Sequence, residues 1–175
     1  PTHVFDRELQ LSAHKSDVIR LAKLNEVGGI YLDIDSICLH SFDDLLDHQF
    51  VMGKQDDYGL CNAIMLAQPN SEFGKIWYDQ YRSFFMPQWD YHSVQIPLQL
   101  AAQYPEMITV LEKNAFFNPS HHETNLIFDA FVESPSKYAM HLWEHKSWEL
   151  YIQNIDINWI KNSNTTYAHY ARQYV

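Results

Sequence analysis

The spacing of apolar and polar positions divides the chain into helix-sized and strand-sized segments. Between Ser12 and Val27 the pattern is helical. Leu11, Val18, Leu21 and Ala22 share a stripe, Ser12 and Ser16 are candidate N-caps, and Gly28 is a natural stop. GIYLDID (29–35) follows, and its β-branched and aromatic content predicts a buried strand ending in carboxylates. Segments 50–54 and 61–67 predict two more strands with the turn-like KQDDYG between them. A helix is predicted over 71–84, stopping before Pro87, and another over 94–103 with Pro97 in its first turn. ITVL (108–111) and KYAMHLW (137–143) are short strand candidates, and the stretch from Trp148 onward mixes helical and irregular segments. Helices alternating with strands predict an α/β layered fold.

With 175 residues, 46% of them hydrophobic and 15% aromatic, the chain holds enough apolar material for one packed domain. Acidic residues outnumber basic ones 22 to 12, for a formal net charge of −10 with the ten histidines neutral. That balance argues against a nucleic-acid partner, which calls for a basic stripe. Cys38 and Cys61 allow at most one disulfide and cannot build a Cys-rich zinc site. No apolar run approaches the roughly 18 residues of a spanning helix, and no cleavable leader is visible. Asn164-Thr165-Thr166 forms a glycosylation sequon, a triplet that also arises by chance.

The strongest chemical signal is Asp33-Ile34-Asp35 at the end of an apolar segment. In a strand, residues i and i+2 point to the same side, so the two carboxylates converge. Close carboxylates repel unless a cation or a shared proton intervenes, and Mg²⁺ or Mn²⁺ suits oxygen ligands while keeping positions for phosphate oxygens. Taken alone, the pair also fits two unrelated surface acids.

The surrounding block decides between them. SDVIRLAKLNEVGGIYLDID joins Ser16-Asp17 and Arg20 on a helix to Gly28-Gly29, Tyr31 and the Asp-x-Asp pair. It resembles the signature of retaining DXD-type glycosyltransferases with the GT-A fold. The relevant members are the capsular-polysaccharide, initiating-mannosyltransferase and α-1,4-galactosyltransferase group (glycosyltransferase family 32-like), with the large clostridial glucosylating toxins more distant. Asn62-Ala63-Ile64-Met65 followed by Pro69, VLEKNAFFNPSHH and AMHLWEHKSW resemble later parts of the same family more loosely.

The resemblance implies a GT-A-type, Rossmann-like α/β domain covering residues 1–175. It implies a metal-dependent transfer of a hexose from a UDP- or GDP-sugar to a glycan or glycolipid hydroxyl. Asp17 and Arg20, three residues apart on one helix face, would hold donor-sugar hydroxyls. Tyr31, Gly29 and Asn62 would line the donor site, with Asp33 on the ribose or on metal through water and Asp35 on the metal directly. His141 would complete the metal's ligands, which favours Mn²⁺ over Mg²⁺ because imidazole suits manganese better. Ser147 and Trp148 would close over the diphosphate. No nucleophile is assigned by the resemblance; Asp90, Glu123 and Asp129 are available carboxylates. His121 and His122, being adjacent, are read as loop residues.

Two departures stand out. Only 15 residues precede Ser16, so the chain is expected to lack the N-terminal base-binding strands of that fold, as a fragment would. The family's Gly-Pro element is Gln95-Ile96-Pro97 here, without its glycine. A competing reading is a haloacid-dehalogenase-type phosphatase, with Asp33 as nucleophile and Asp35 as general acid. That class needs a downstream Lys and an acidic pair, and Asp56-Asp57 follows the first motif too soon. A third reading is a non-catalytic sugar- or protein-binding remnant. Compartment stays open: cytoplasmic or membrane-peripheral in a bacterial or viral setting, the Golgi lumen in a eukaryotic one.

Overall fold

A computed structural model describes residues 1–85 and 89–175. The chain is a mixed α/β protein that forms two compact units. One comprises residues 1–32 and 42–112, the other 33–41 and 113–175.

The first unit is built on a four-stranded mixed sheet in the order Gly29–Leu32, Gly59–Ala67, Phe50–Asp56, Thr109–Leu111. The middle two strands are an antiparallel hairpin, longer than the sequence pattern predicts, with register irregularities at Met52/Gly53 and Lys54/Asp56. Gly59–Ala67 is buried along its whole length, as a central strand covered on both faces must be. Gly29–Leu32 pairs with it at the sheet edge, so it is exposed to half-buried rather than buried as predicted. Thr109–Leu111 closes the other edge, parallel to Phe50–Asp56.

Three helices of the described residues pack with this sheet. Ser12–Val27 has the predicted bounds, and Gly28 ends it in the left-handed region (φ 67°) with its N–H on the Leu24 carbonyl. A Cβ on Gly28 would stand 2.7 Å from Pro69, so the turn demands glycine on two counts. The cap differs from expectation. Leu11 occupies the N-cap position without a side-chain bond, and it is exposed rather than part of the buried stripe. Glu72–Gln80 is capped by Ser71, whose hydroxyl accepts from Gly74 N–H, and a 3₁₀ turn over Tyr81–Ser83 follows. The predicted stop before Pro87 lies outside the described residues. A π-helical turn, Tyr91–Gln95, leads into the Ile96–Gln103 helix with Pro97 in its first turn, as predicted. Phe50, Phe73 and Trp77 pack at 5.1–6.4 Å between ring centres in a core with Leu21, Leu24, Met52, Leu60 and Met65.

The second unit is mostly short helices and turns around one two-stranded ribbon, Ser36–Cys38 against Ala139–His141. That strand is shorter than the predicted 137–143. Its core is aromatic: Phe116, Phe117, Phe128, Tyr138 and Trp143 are all buried. Thr166 ties the C-terminal helices down, accepting from Val132 N–H and donating to the Leu126 carbonyl. No helix of the described residues is long and apolar enough to cross a membrane.

Candidate metal centre and buried polar cluster

The DXD segment is not in a strand. The Gly29–Leu32 strand ends before it, and Asp33 to Ser36 form a turn closed by Ser36 N–H on the Asp33 carbonyl at 3.1 Å. The carboxylates therefore converge through a turn rather than through strand alternation, and Ile34 between them is fully exposed. Asp35 is clamped to the ribbon. Its carbonyl accepts from Leu142 N–H at 2.8 Å, and its Oδ2 accepts from Glu144 N–H at 2.8 Å. His141, on the partner strand, brings Nε2 to 3.3 Å from Asp35 Oδ1. One ligand atom from each of Asp33, Asp35 and His141 lies within 4.8 Å of the others.

These residues fit a divalent cation. His141 is buried, yet neither ring nitrogen has a hydrogen bond of good geometry among the described residues. Leaving a buried imidazole nitrogen unsatisfied is costly, and a cation beside Nε2 removes that cost. Two carboxylates and an imidazole are a donor set for a hard or borderline divalent metal. Burial works against ionisation of Asp35, but the adjacent His141 ring and the Glu144 N–H outweigh it and hold the carboxyl at about 2. Asp35 is thus a carboxylate throughout the neutral range, as ligation requires.

Ser147 and Trp148, also in this unit, are placed differently from one another. Ser147 is fully buried, its hydroxyl shared between the Leu142 and Trp143 carbonyls at 2.7 and 2.9 Å. Trp148 is about half exposed. His121 and His122 sit in a turn, as expected, with ring centres 3.9 Å apart.

In the first unit the structure gathers four of the sequence-predicted residues. Asp17 and Arg20 share a face of the Ser12–Val27 helix, with Arg20 Nε 3.8 Å from Asp17 Oδ1. Arg20 Nη1 donates to the Asn62 carbonyl at 3.0 Å, and Asn62 Nδ2 donates to Asp17 Oδ1 at 2.8 Å. The guanidinium lies 4.6 Å from the centre of the Tyr31 ring, a cation–π contact. The pair is buried rather than a solvated surface pair, which raises the cost of breaking it. Gly29 stands outside this cluster. It lines a shallow groove with Leu45, Leu46, His48 and Pro69, and at φ 102° it holds a backbone geometry that favours glycine.

Ser16, read from sequence as a candidate N-cap and as part of the Ser-Asp-x-x-Arg block, takes a different part here, and the Glu144 N–H is the one participant that sequence does not single out. Ser16 accepts from Arg20 Nη2 at 2.9 Å; its i, i+4 relation to Arg20 was a legible signal. The Glu144 N–H on Asp35 has no sequence signal, because it is a backbone group aimed by tertiary structure.

The family described as glycosyltransferase sugar-binding region containing DXD motif matches residues 2–52. Glucan organizing enzyme 1 of Cryptococcus neoformans var. grubii serotype A is 39% identical over 162 residues, an alignment covering 82% of this chain and 43% of that protein. The chain therefore spans less than half the length of this curated relative. No solved structure matches. Over residues 2–52 the chain thus carries the DXD-containing sugar-binding region of glycosyltransferases.

Proposed function

We propose that the protein is a metal-dependent glycosyltransferase of the GT-A type that moves a hexose from a nucleotide sugar to a glycan hydroxyl, with both compact units belonging to one such domain. The observation that carries this reading is the convergence, within 4.8 Å, of the neighbouring Asp33 and Asp35 with His141 from a distant part of the sequence. The cryptococcal relative is named for organizing glucan, which is in keeping with a carbohydrate substrate.

Asp33, Asp35 and His141 are the residues that would hold the ion. A divalent cation held there would supply positive charge to offset that developing on the diphosphate leaving group. The chain's own part is positioning. Glu144 N–H and the Leu142 N–H fix Asp35 in place as a carboxylate. Asp17 and Arg20 put an acceptor and a donor side by side, the combination that neighbouring sugar hydroxyls require. Asn62 and Ser16 hold that pair, and Tyr31 supports the guanidinium from its face. Gly29 completes the proposed donor contacts by offering backbone without a side chain. Ser147 pins the segment before the half-exposed Trp148, the proposed cover for the diphosphate.

The test is a panel of UDP- and GDP-sugars with and without Mn²⁺, assayed for release of nucleoside diphosphate. Release that requires Mn²⁺ supports the reading. Release of phosphate from simple esters, with no cleavage of any sugar nucleotide, supports the phosphatase instead.

A further inference from the structure

A metal-ligating histidine is ordinarily oriented by a hydrogen bond on its second ring nitrogen. His141 has none: its Nδ1 is buried and has no partner among the described residues. Its orientation is set by packing, and the nearest ring is Trp143, edge-on at 4.4 Å and 86°. Trp143 is itself fixed. It is buried, its indole N–H donates to the Pro119 carbonyl at 3.0 Å, and Phe117 lies behind it at 5.9 Å.

The backbone of Trp143 is as unusual as its side chain. It lies at φ 56°, ψ 51°, the left-handed region that a bulky residue rarely enters. This conformation turns the chain just after the His141 strand. The next residue, Glu144, thereby delivers its N–H to Asp35 Oδ2. One residue in a strained conformation thus touches both halves of the candidate centre, through its ring on His141 and through its turn on Asp35. Strain kept at such a position is a signature of functional sites.

We infer that Trp143 is a positioning residue for the metal centre, walling the His141 ring and aiming the Glu144 N–H at Asp35. This rests on the proposed metal-binding reading of Asp33, Asp35 and His141. The two devices separate by substitution. Trp143→Gly keeps the left-handed turn but removes the wall. Trp143→Phe keeps an aromatic wall, though a smaller one, and loses the indole N–H. Trp143→Ala removes the wall and keeps the backbone penalty.

The experiment uses Mn²⁺ alone, titrated into each protein and followed by the electron-paramagnetic-resonance signal of free ion. Imidazole nitrogen coupling in the pulsed spectrum of bound ion reports whether His141 ligates. Circular dichroism without metal verifies the fold of each variant. For folded protein we expect Trp143→Gly and Trp143→Ala to weaken Mn²⁺ by about 10-fold or more and to lose the nitrogen coupling, Ala more than Gly. Trp143→Phe should keep the coupling and stay within about threefold of wild type. Trp143→Gly binding like wild type with coupling intact overturns the inference. So does a folded Trp143→Phe that has lost the coupling, which leaves the phenylalanine rescue decisive if the smaller variants fail to fold. If the folded wild type itself shows no Mn²⁺ binding, the metal reading falls and takes the inference with it, an outcome distinct from both.

Discussion

Asn62 Nδ2 donates to Asp17 Oδ1 at 2.8 Å while the Asn62 carbonyl accepts from Arg20 Nη1 at 3.0 Å, so one residue of the central strand bridges both members of a buried helix pair. This bridge makes the Asp17–Arg20 pair a structural unit as well as a candidate binding one.

Removing one partner should therefore be expensive. Asp17→Ala leaves a buried guanidinium without its carboxylate and is expected to cost about 3 kcal/mol in urea unfolding. Glu26→Ala, on the same helix, breaks an ion pair with Lys23 whose side chains are 65% and 62% exposed, and is expected to change stability by less than about 0.5 kcal/mol. Equal effects from the two would show that burial does not distinguish these pairs.

The adjacent glycines should also behave unequally. Gly28→Ala meets both a positive φ and a backbone and ring atom of Pro69 at 2.7 Å, whereas a Cβ at Gly29 meets nothing within 4 Å. The expected loss is about 1 kcal/mol at Gly29 from conformation alone, and about 3 kcal/mol or more at Gly28. Thermal melts of the two variants decide it.

Much of this was legible in sequence, and the reasons are local. The Ser12–Val27 helix is punctuated by a glycine whose φ only glycine adopts readily, so its end could be read directly. The hairpin strands are long apolar runs around a polar turn. The family resemblance implies Asp33, Asp35 and His141 as one ligand set, and in the structure one ligand atom of each lies within 4.8 Å of the others. What escaped was tertiary. Asp33–Ser36 is a turn because its strand lies at the sheet edge and ends early. The left-handed Trp143 and the Glu144 N–H on Asp35 have no periodic signature. The second unit's short helices carry too few turns for a hydrophobic period to emerge.

A buried histidine gives the first unit a dependence on acid. His92 lies among Tyr81, Phe84 and Tyr91, its backbone carbonyl accepting from the Trp77 indole at 2.7 Å. Burial, with a smaller contribution from His14, lowers its pKa from 6.5 to about 4. The unfolded chain consequently binds more protons between these values, so stability rises with pH across that window. The penalty is absent above about 6.5 and complete below about 4, and its size is on the order of 2 kcal/mol. Urea midpoints for wild type and His92→Leu, measured from pH 7 to pH 4, should diverge in slope over this range. Parallel curves would contradict the burial of a neutral imidazole.

The most direct measurement is the anomalous difference density of a crystal grown with Mn²⁺ and a nucleoside diphosphate. The expected result is one manganese peak within coordination distance of the Asp35 carboxylate and His141 Nε2, with Asp33 beside it and diphosphate oxygens on its open side. The same crystal of Asp35→Asn should lose that peak. Manganese bound elsewhere, or a peak that survives Asp35→Asn at unchanged height, would contradict the metal centre on which the proposed glycosyl transfer depends.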